Sequence, residues 1–443
     1  MKDGKIVVGV DVGTSKIVTL IAKVDENTNI NILGVSEIPS TGIRKGQIVD
    51  IEEAVSAINK SLESAERMAG YSITNAIVSI GGNHIECFNS KGVVAVSNPQ
   101  GEINENDVER VIEAARAVSI PSSKEILHVL PRSYNVDGQD GIKDPTGMTG
   151  VRLEVETHII TASATAIRNF EKALSEVGVE TRAFVFSGYA SSLSVLSDTE
   201  KELGVVLIDI GAGTTDLSIY VEGAVSYSSV LPIGARHVTN DLAIGLRLSL
   251  ESAEKIKLFL SRQPKTSFME RGTMEERKNN DEIDLSRLGL MEDIKKISKK
   301  TITEGIIRPR LNEIFEMVGA EIRKSGFGGQ TPAGIVITGG GAKTAGITES
   351  AKRILAMPVR IGYPTELKGI VDEVQNSSFA TAVGLLKYDA STTNEEESSF
   401  SFSSFNLGKY LPLKKNFFNK KSKGTKNSNT SKKIIDFIKS FLP

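Results

Sequence analysis

Val205 to Tyr220 read VVLIDIGAGTTDLSIY, and this stretch decides the fold. An apolar, β-branched run ends on Asp209, a glycine turn follows, and a second apolar run starts at once, which is the pattern of a β-hairpin. Nearer the N-terminus, Lys5 to Ile21 repeat the arrangement around Gly13-Thr14-Ser15-Lys16, again with Asp-x-Gly closing an apolar strand. Two such hairpins about 200 residues apart are what two related lobes facing each other would produce. A third glycine cluster, Gly339-Gly340-Gly341, follows the apolar run Ile335 to Ile337.

The three turns share one chemistry. Glycines let backbone N–H groups approach phosphate oxygens closely. Thr14, Ser15, Thr214 and Thr215 add hydroxyl donors, and Lys16 adds a point charge. Asp11 and Asp209 stand at strand ends, where carboxylates hold Mg²⁺ largely through its retained waters. Gly13, Gly211 and Gly213 shape the two phosphate turns, and the Gly339-Gly341 turn leaves room for a flat nucleoside. Glu251 and Lys255, four apart on an expected helix, are candidates to bracket ribose and base. A lone Asp-x-Gly is more often a plain turn, so the combination carries the reading. No GxxxxGK[ST] loop occurs and no complete GxGxxG follows a strand, which sets aside the two commonest alternative nucleotide folds.

Outward from these turns, the chain of 443 residues is long enough for more than one core. Expected elements are a helix over Glu52 to Met68, a buried strand over Asn75 to Ile80, a helix displaying Val108, Val111, Ile112 and Ala115, and a strand over Leu153 to Ala162. The expected organisation is α/β: first lobe 1–83 and 164–203, an inserted small domain 84–163, second-lobe core 204–240 and 331–387, and a helical subdomain 241–330. Gln263 to Asp284 is polar and charge-dense, the texture of an exposed loop. Order is expected to fade near Tyr388, giving a flexible linker over 388–430 and a final helix over 431–443.

That last segment, SKKIIDFIKSFLP, places Ile434, Ile435, Phe437, Ile438, Phe441 and Leu442 on one helical face and Lys432, Lys433, Asp436 and Lys439 on the other. A basic amphipathic helix behind a linker suits an interfacial anchor, with docking on a protein surface as the plain alternative. Ten lysines lie between Leu407 and the end, each worth up to about 1 kcal/mol at an anionic surface. A linker of about 40 residues has a relaxed span of roughly 35 Å. One copy binds weakly, and many copies on one polymer gain avidity.

Composition narrows the class. A formal net charge of −2 gives no overall steering toward nucleic acid. The single cysteine, Cys87, excludes an internal disulfide, and no apolar run approaches the roughly 20 residues of a bilayer span. His84, His128, His158 and His237 are scattered without metal-ligand spacing. The N-terminus enters a strand pattern at once, with no signal-peptide architecture, so a cytoplasmic location is expected.

The three glycine motifs, in this order, resemble the superfamily of actin, the heat-shock chaperone ATPases and the sugar kinases, which bind ATP between two lobes. A closer resemblance is to the FtsA family of bacterial cell-division proteins. It is carried by VDGQDGIKDPTGMTGVRLE (Val136 to Glu154), Phe186-Ser187-Gly188-Tyr189-Ala190-Ser191-Ser192, Lys201-Glu202-Leu203-Gly204, Pro232-Ile233-Gly234 and Thr239-Asn240-Asp241-Leu242-Ala243. The resemblance implies an ATP-binding protein that polymerises on the inner membrane face, tethers FtsZ filaments there and recruits later division proteins through the inserted domain. It also implies that the helical subdomain receives the FtsZ tail, with Arg310, in the run Ile306 to Ile314, as the candidate contact. In the wider superfamily a Glu or Gln near Ser187 orients the attacking water. A serine is a poor base, so slow hydrolysis is expected. A small-molecule kinase of the same superfamily is the alternative.

Overall fold

The computed structural model describes residues 4–98, 100–262, 281–292 and 294–397. The strands are β1 (Lys5–Val12), β2 (Lys16–Val24), β3 (Ile30–Pro39), β4 (Ile43–Arg44), β5 (Gln47–Ile48), β6 (Asn75–Ile80), β7 (Glu86–Ala95), β8 (Lys124–Val136), β9 (Gln139–Ile142) and β10 (Arg152–Ser163). They continue with β11 (Glu180–Phe186), β12 (Val205–Ile210), β13 (Thr215–Val221), β14 (Ala224–Leu231), β15 (Glu282–Asp284), β16 (Lys296–Ser298), β17 (Ile335–Thr338), β18 (Val359–Ile361) and β19 (Leu367–Gly369).

Two sheets repeat one order. The first runs β11-β6-β1-β2-β3, with β19 added at the β3 edge, and the second runs β14-β13-β12-β17-β18. In each, the first strand pairs antiparallel with its hairpin partner and parallel with the next strand. The central strands are largely buried on both faces and read as apolar runs up to the aspartate near each C-terminal end, as expected of strands covered on both sides. Two large apolar clusters fill the lobes: one holds Val10, Ile17, Ile58, Val78 and Phe186 of the first lobe and extends to Val205, Leu207 and Val336 of the second, and the other holds Ile208, Leu217, Val238, Leu311 and Phe315.

The expected first-lobe helix forms as Ile51–Ala69. The Asp50 side chain accepts from the Glu53 N–H, and Gly70 ends the helix in the left-handed region at φ 65°. Its Ala54, Ala57, Ile58 and Leu62 side are buried in the first-lobe core. The insertion forms its own antiparallel sheet, β7-β10-β8-β9, covered by the helix Glu105–Arg116. That helix starts on a capping box between Asn104 and Asp107 and packs Val108, Val111 and Ile112 on Leu153, Val155 and Ile159. The insertion also touches the second lobe. His158 Nε2 lies 3.0 Å from Ser228 Oγ, and Cys87 Sγ donates to the Ser228 carbonyl at 2.9 Å, both on β14.

Two expected boundaries are corrected. The chain stays folded past Tyr388: the closing helix runs Ala380–Glu397, and Tyr388 is 2% exposed. Gly384 lets this helix cross the helix Ser187–Val195, because a Cβ there would lie 1.7 Å from the Ala190 carbonyl oxygen. Arg182 then clamps Asp389 at 2.6 Å. Within the expected loop, Glu282–Asp284 is a strand paired with Lys296–Ser298. The rest of that stretch, 263–280, the remainder of the expected linker, 398–430, and the expected terminal helix 431–443 lie outside the described residues. No described helix is long and apolar enough to cross a membrane.

Candidate functional site

The two hairpins end in matching four-residue turns, Gly13-Thr14-Ser15-Lys16 and Gly211-Ala212-Gly213-Thr214. Each is closed by the same bond, Gly13 N–H to Lys16 O at 3.1 Å and Gly211 N–H to Thr214 O at 2.9 Å. One cleft is lined by Asp11 to Lys16, Gly46, Gly81, Ser187, Asp209, Gly211, Ala212, Thr214 and Asp216, with Gly339, Gly340, Ser378 and Thr381 completing it. Sequence reasoning thus placed Asp11, Gly13, Thr14, Ser15, Lys16, Asp209, Gly211, Thr214, Gly339 and Gly340 around one space.

Other expected residues sit differently. Thr215 pairs opposite Ile210 inside the strand, is fully buried, and donates its hydroxyl to the Ile233 carbonyl at 2.8 Å. Gly213 packs on Thr14, and Gly341 on Ile210, so both allow close approach without lining the cleft. Glu251 and Lys255 pair with each other at 2.9 Å, and Lys255 also reaches the Gly289 carbonyl. They are not among the cleft's lining residues.

Arg310, the expected contact for an acidic FtsZ tail, forks onto Asp241, with Nε to Oδ2 at 2.6 Å and Nη2 to Oδ1 at 2.9 Å, and also meets Glu313. The helix it sits on continues from Lys299 through a π turn, Thr303–Ile307. Pro309 has no N–H to give the Gly305 carbonyl, and the Arg308 N–H bonds back to Thr303 instead.

The electrostatics of the cleft are dominated by carboxylates. Asp11 accepts from Ser79 Oγ at 2.7 Å, and that same oxygen receives the Val12 N–H. Burial raises the Asp11 pKa, with the Ser79 bond and Lys16 opposing. Asp209 accepts from Thr381 Oγ1 at 3.1 Å, and burial plus the Asp11 charge raise it to about 6. Asp216 stands across the hairpin from Asp209, and burial, then Asp209 and Asp11, hold its carboxyl well above the usual range. Its Oδ1 is buried with no hydrogen-bond partner. An orphaned carboxylate oxygen among three clustered acids, Asp209 and Asp216 buried and Asp11 half-buried, is a site short of positive charge.

Mg²⁺ fits that deficit. Among the described residues no three acidic, histidine or cysteine groups converge as a direct metal cage. The ion would therefore be held by these carboxylates through water and by phosphate oxygens, its usual habit. Gly339 fixes the floor: at φ 84°, a Cβ would lie 2.2 Å from Asp209 Oδ1. Sequence reasoning missed Asp216, Ser79, Ser378 and Thr381 as lining or supporting groups. Asp216 was legible from strand pairing, since the residue facing Asp209 shares its face. Ser79, Ser378 and Thr381 come from distant strands and helices and gave no local signal.

Fold and cleft together define the class, a two-lobed actin-like ATPase fold with a small α/β domain inserted in the first lobe. Among solved structures, a chain of the PilM-PilN type IV pilus biogenesis complex superposes with a TM-score of 0.60 at 16% identity, covering 87% of this chain and 98% of that one. MreB 5 of Spiroplasma citri bound to AMPPNP gives 0.52 at 14% identity, covering 89% and 98%. Residues 82–161 match the family described as the SHS2 domain inserted in FTSA, and residues 206–384 match the cell division protein FtsA family. The FtsA of Pseudomonas aeruginosa is 40% identical over 399 residues, 88% of this chain and 90% of that protein. That of Borreliella burgdorferi is 42% identical over 383 residues, and that of Escherichia coli K12 34% over 393. This chain belongs to the FtsA family of cell division proteins.

Proposed function

We propose that the chain is an ATP-binding division protein that polymerises beneath the cytoplasmic membrane, tethers FtsZ filaments to it, and recruits later division proteins through the inserted domain. The observation that carries the nucleotide reading is the convergence of both hairpin turns and Gly339-Gly340 on one cleft holding Asp11, Asp209 and the orphaned Asp216. Backbone N–H groups of the turns, with Thr14, Ser15, Thr214 and Lys16, would bind the phosphates. The carboxylates would orient hydrated Mg²⁺, which neutralises phosphate charge.

Ser187 lines the cleft at the start of a helix, and a Cβ on Gly81 would lie 3.0 Å from its hydroxyl oxygen and 3.6 Å from Asp216 Oδ2. A serine at this point lacks the basicity to activate water, so ATP would act chiefly as a structural ligand that closes the lobes and favours the polymer. Steady-state turnover of about 10 per second or more would count against this reading.

The tail supports the membrane role. Its six apolar residues, Ile434, Ile435, Phe437, Ile438, Phe441 and Leu442, are spaced so that they would share one face of a helix, and a lysine-rich stretch precedes them in sequence. The FtsZ tail would dock on the helical subdomain, where an incoming carboxylate must compete with Asp241 for Arg310. Flotation with anionic liposomes tests the tether. The intact chain with ATP should carry FtsZ upward, and a chain ending at Thr430 should leave it below. Equal behaviour of the two chains would remove the terminal helix from the anchor role.

A further inference from the structure

The short hairpin β4–β5 has a turn whose residues are in the left-handed region, Lys45 at φ 49° and Gly46 at φ 74°. Such turns favour Asn, Asp or Gly at the first of these positions, because a longer side chain there is strained. A lysine at that point holds an unfavourable conformation that asks for a reason.

Its position supplies one. The Gly46 N–H donates to Thr14 Oγ1 at 3.2 Å, tying the tip to the first phosphate turn. A Cβ on Gly213 would lie 3.3 Å from Lys45 Cα, so the tip also rests on the second phosphate turn. On a third side, a Cβ on Gly82 would lie 2.9 Å from the Lys45 carbonyl oxygen. Gly46 itself lines the cleft. The hairpin tip is therefore where elements of both lobes meet at the phosphate end.

The charge balance points the same way. The cleft presents Asp11, Asp209 and Asp216 but only Lys16 as a lining cation. Lys16 is already held by Glu37 at 2.6 Å and lies over the Phe379 ring, 4.6 Å from its centroid. Lys45 is exposed and makes no ion pair among the described residues. Its flexible four-carbon stem suits an ammonium that settles on an arriving anion.

We propose that Lys45 is the cation that meets the terminal phosphate of a bound nucleoside triphosphate, so that the β4–β5 tip distinguishes ATP from ADP. This rests on the nucleotide reading of the cleft and deepens it. The first lobe then contributes two cations with separate tasks, Lys16 within the turn and Lys45 over its end.

The test is competition of Mg–ATP and Mg–ADP against a fluorescent nucleotide for the full-length chain and three variants. Lys45→Ala removes the charge. Lys45→Gly removes it while relaxing the left-handed backbone, so a loss of binding there is not a loss of folding. Lys45→Arg restores the charge. The expected result is an ATP affinity lower by on the order of tenfold in the first two. ADP should change by less than about twofold, and the arginine variant should recover most of the difference. Equal weakening of ATP and ADP would make the tip a structural wall only and overturn the proposal, as would unchanged affinities throughout. If the wild-type chain binds neither nucleotide, the reading of the cleft fails as well, which separates the two failures.

Discussion

The two lobes share a strand order and a turn, yet their chemistry differs at the residue facing each strand-end aspartate. In the first lobe Asp11 pairs across the hairpin with Val18, and in the second Asp209 pairs with Asp216. The turns differ too: the first carries two hydroxyls and Lys16, the second mostly bare backbone. Their insertions also fall at different points. The first lobe is interrupted after its fourth strand, β6, and the second after its third, β14. Duplication accounts for the scaffold that brings two turns face to face. Divergence at single positions accounts for one lobe supplying positive charge and the other an extra acid.

The largest expected break in this pairing is at the glycines that follow the parallel strands. Gly339→Ala combines positive φ with a clash on Asp209, so it should cost on the order of 2–4 kcal/mol and abolish nucleotide binding. Gly81→Ala, the first-lobe counterpart, meets the side chain of Ser187, which can turn away, and should cost about 1 kcal/mol. Urea denaturation of the two variants compares them directly. Equal costs would mean that the two floors are equally tight.

Asp216→Asn sharpens the comparison by making the second hairpin more like the first. The raised pKa values of Asp209 and Asp216 mean that the folded state favours the protonated acids, so their stability contribution is present at low pH and declines as pH rises above about 4. Nucleotide-free Asp216→Asn should therefore melt higher than wild type at pH 8. The gap should narrow as pH falls from 8 and close near 4, where the Asp216 carboxyl is protonated in the unfolded chain as well. A gap independent of pH would point to packing instead of charge.

Lys16→Ala should lower ATP affinity about tenfold while changing stability by less than about 1 kcal/mol, because its partly exposed pair with Glu37 is worth little. The smallest effect is expected at Arg310, whose fork on Asp241 is about a quarter exposed. Arg310→Ala should cost up to about 1 kcal/mol and leave ATP binding intact. Loss of FtsZ co-sedimentation with no loss of stability would support Arg310 as the contact for the FtsZ tail, and unchanged co-sedimentation would remove it from that role.

Much of this was legible in the sequence, because hairpin patterns and glycine turns are local. Asn75 to Ile80 is a strand at the expected residues, and the helix over Glu52 to Met68 forms within a residue at each end. What local pattern does not carry is which side of a paired strand faces the cleft. Thr215 followed the turn and read as a donor, yet its place opposite Ile210 points its hydroxyl into the core, while the next residue, Asp216, faces Asp209. Glu251 and Lys255 have helical spacing that pairs them with each other, and neither is among the cleft's lining residues. The closing helix outran its expected end because Tyr388 and Asp389 are held by distant partners, Arg182 among them, that no window of sequence shows.

The central claim is that the two turns form a single magnesium-dependent ATP site, and calorimetric titration of Mg–ATP tests it most directly. Wild type should bind one nucleotide per chain, lose most affinity when Mg²⁺ is chelated, and show no binding after Gly339→Ala. Absence of binding by wild type, or binding that is indifferent both to Mg²⁺ and to Gly339→Ala, would contradict it.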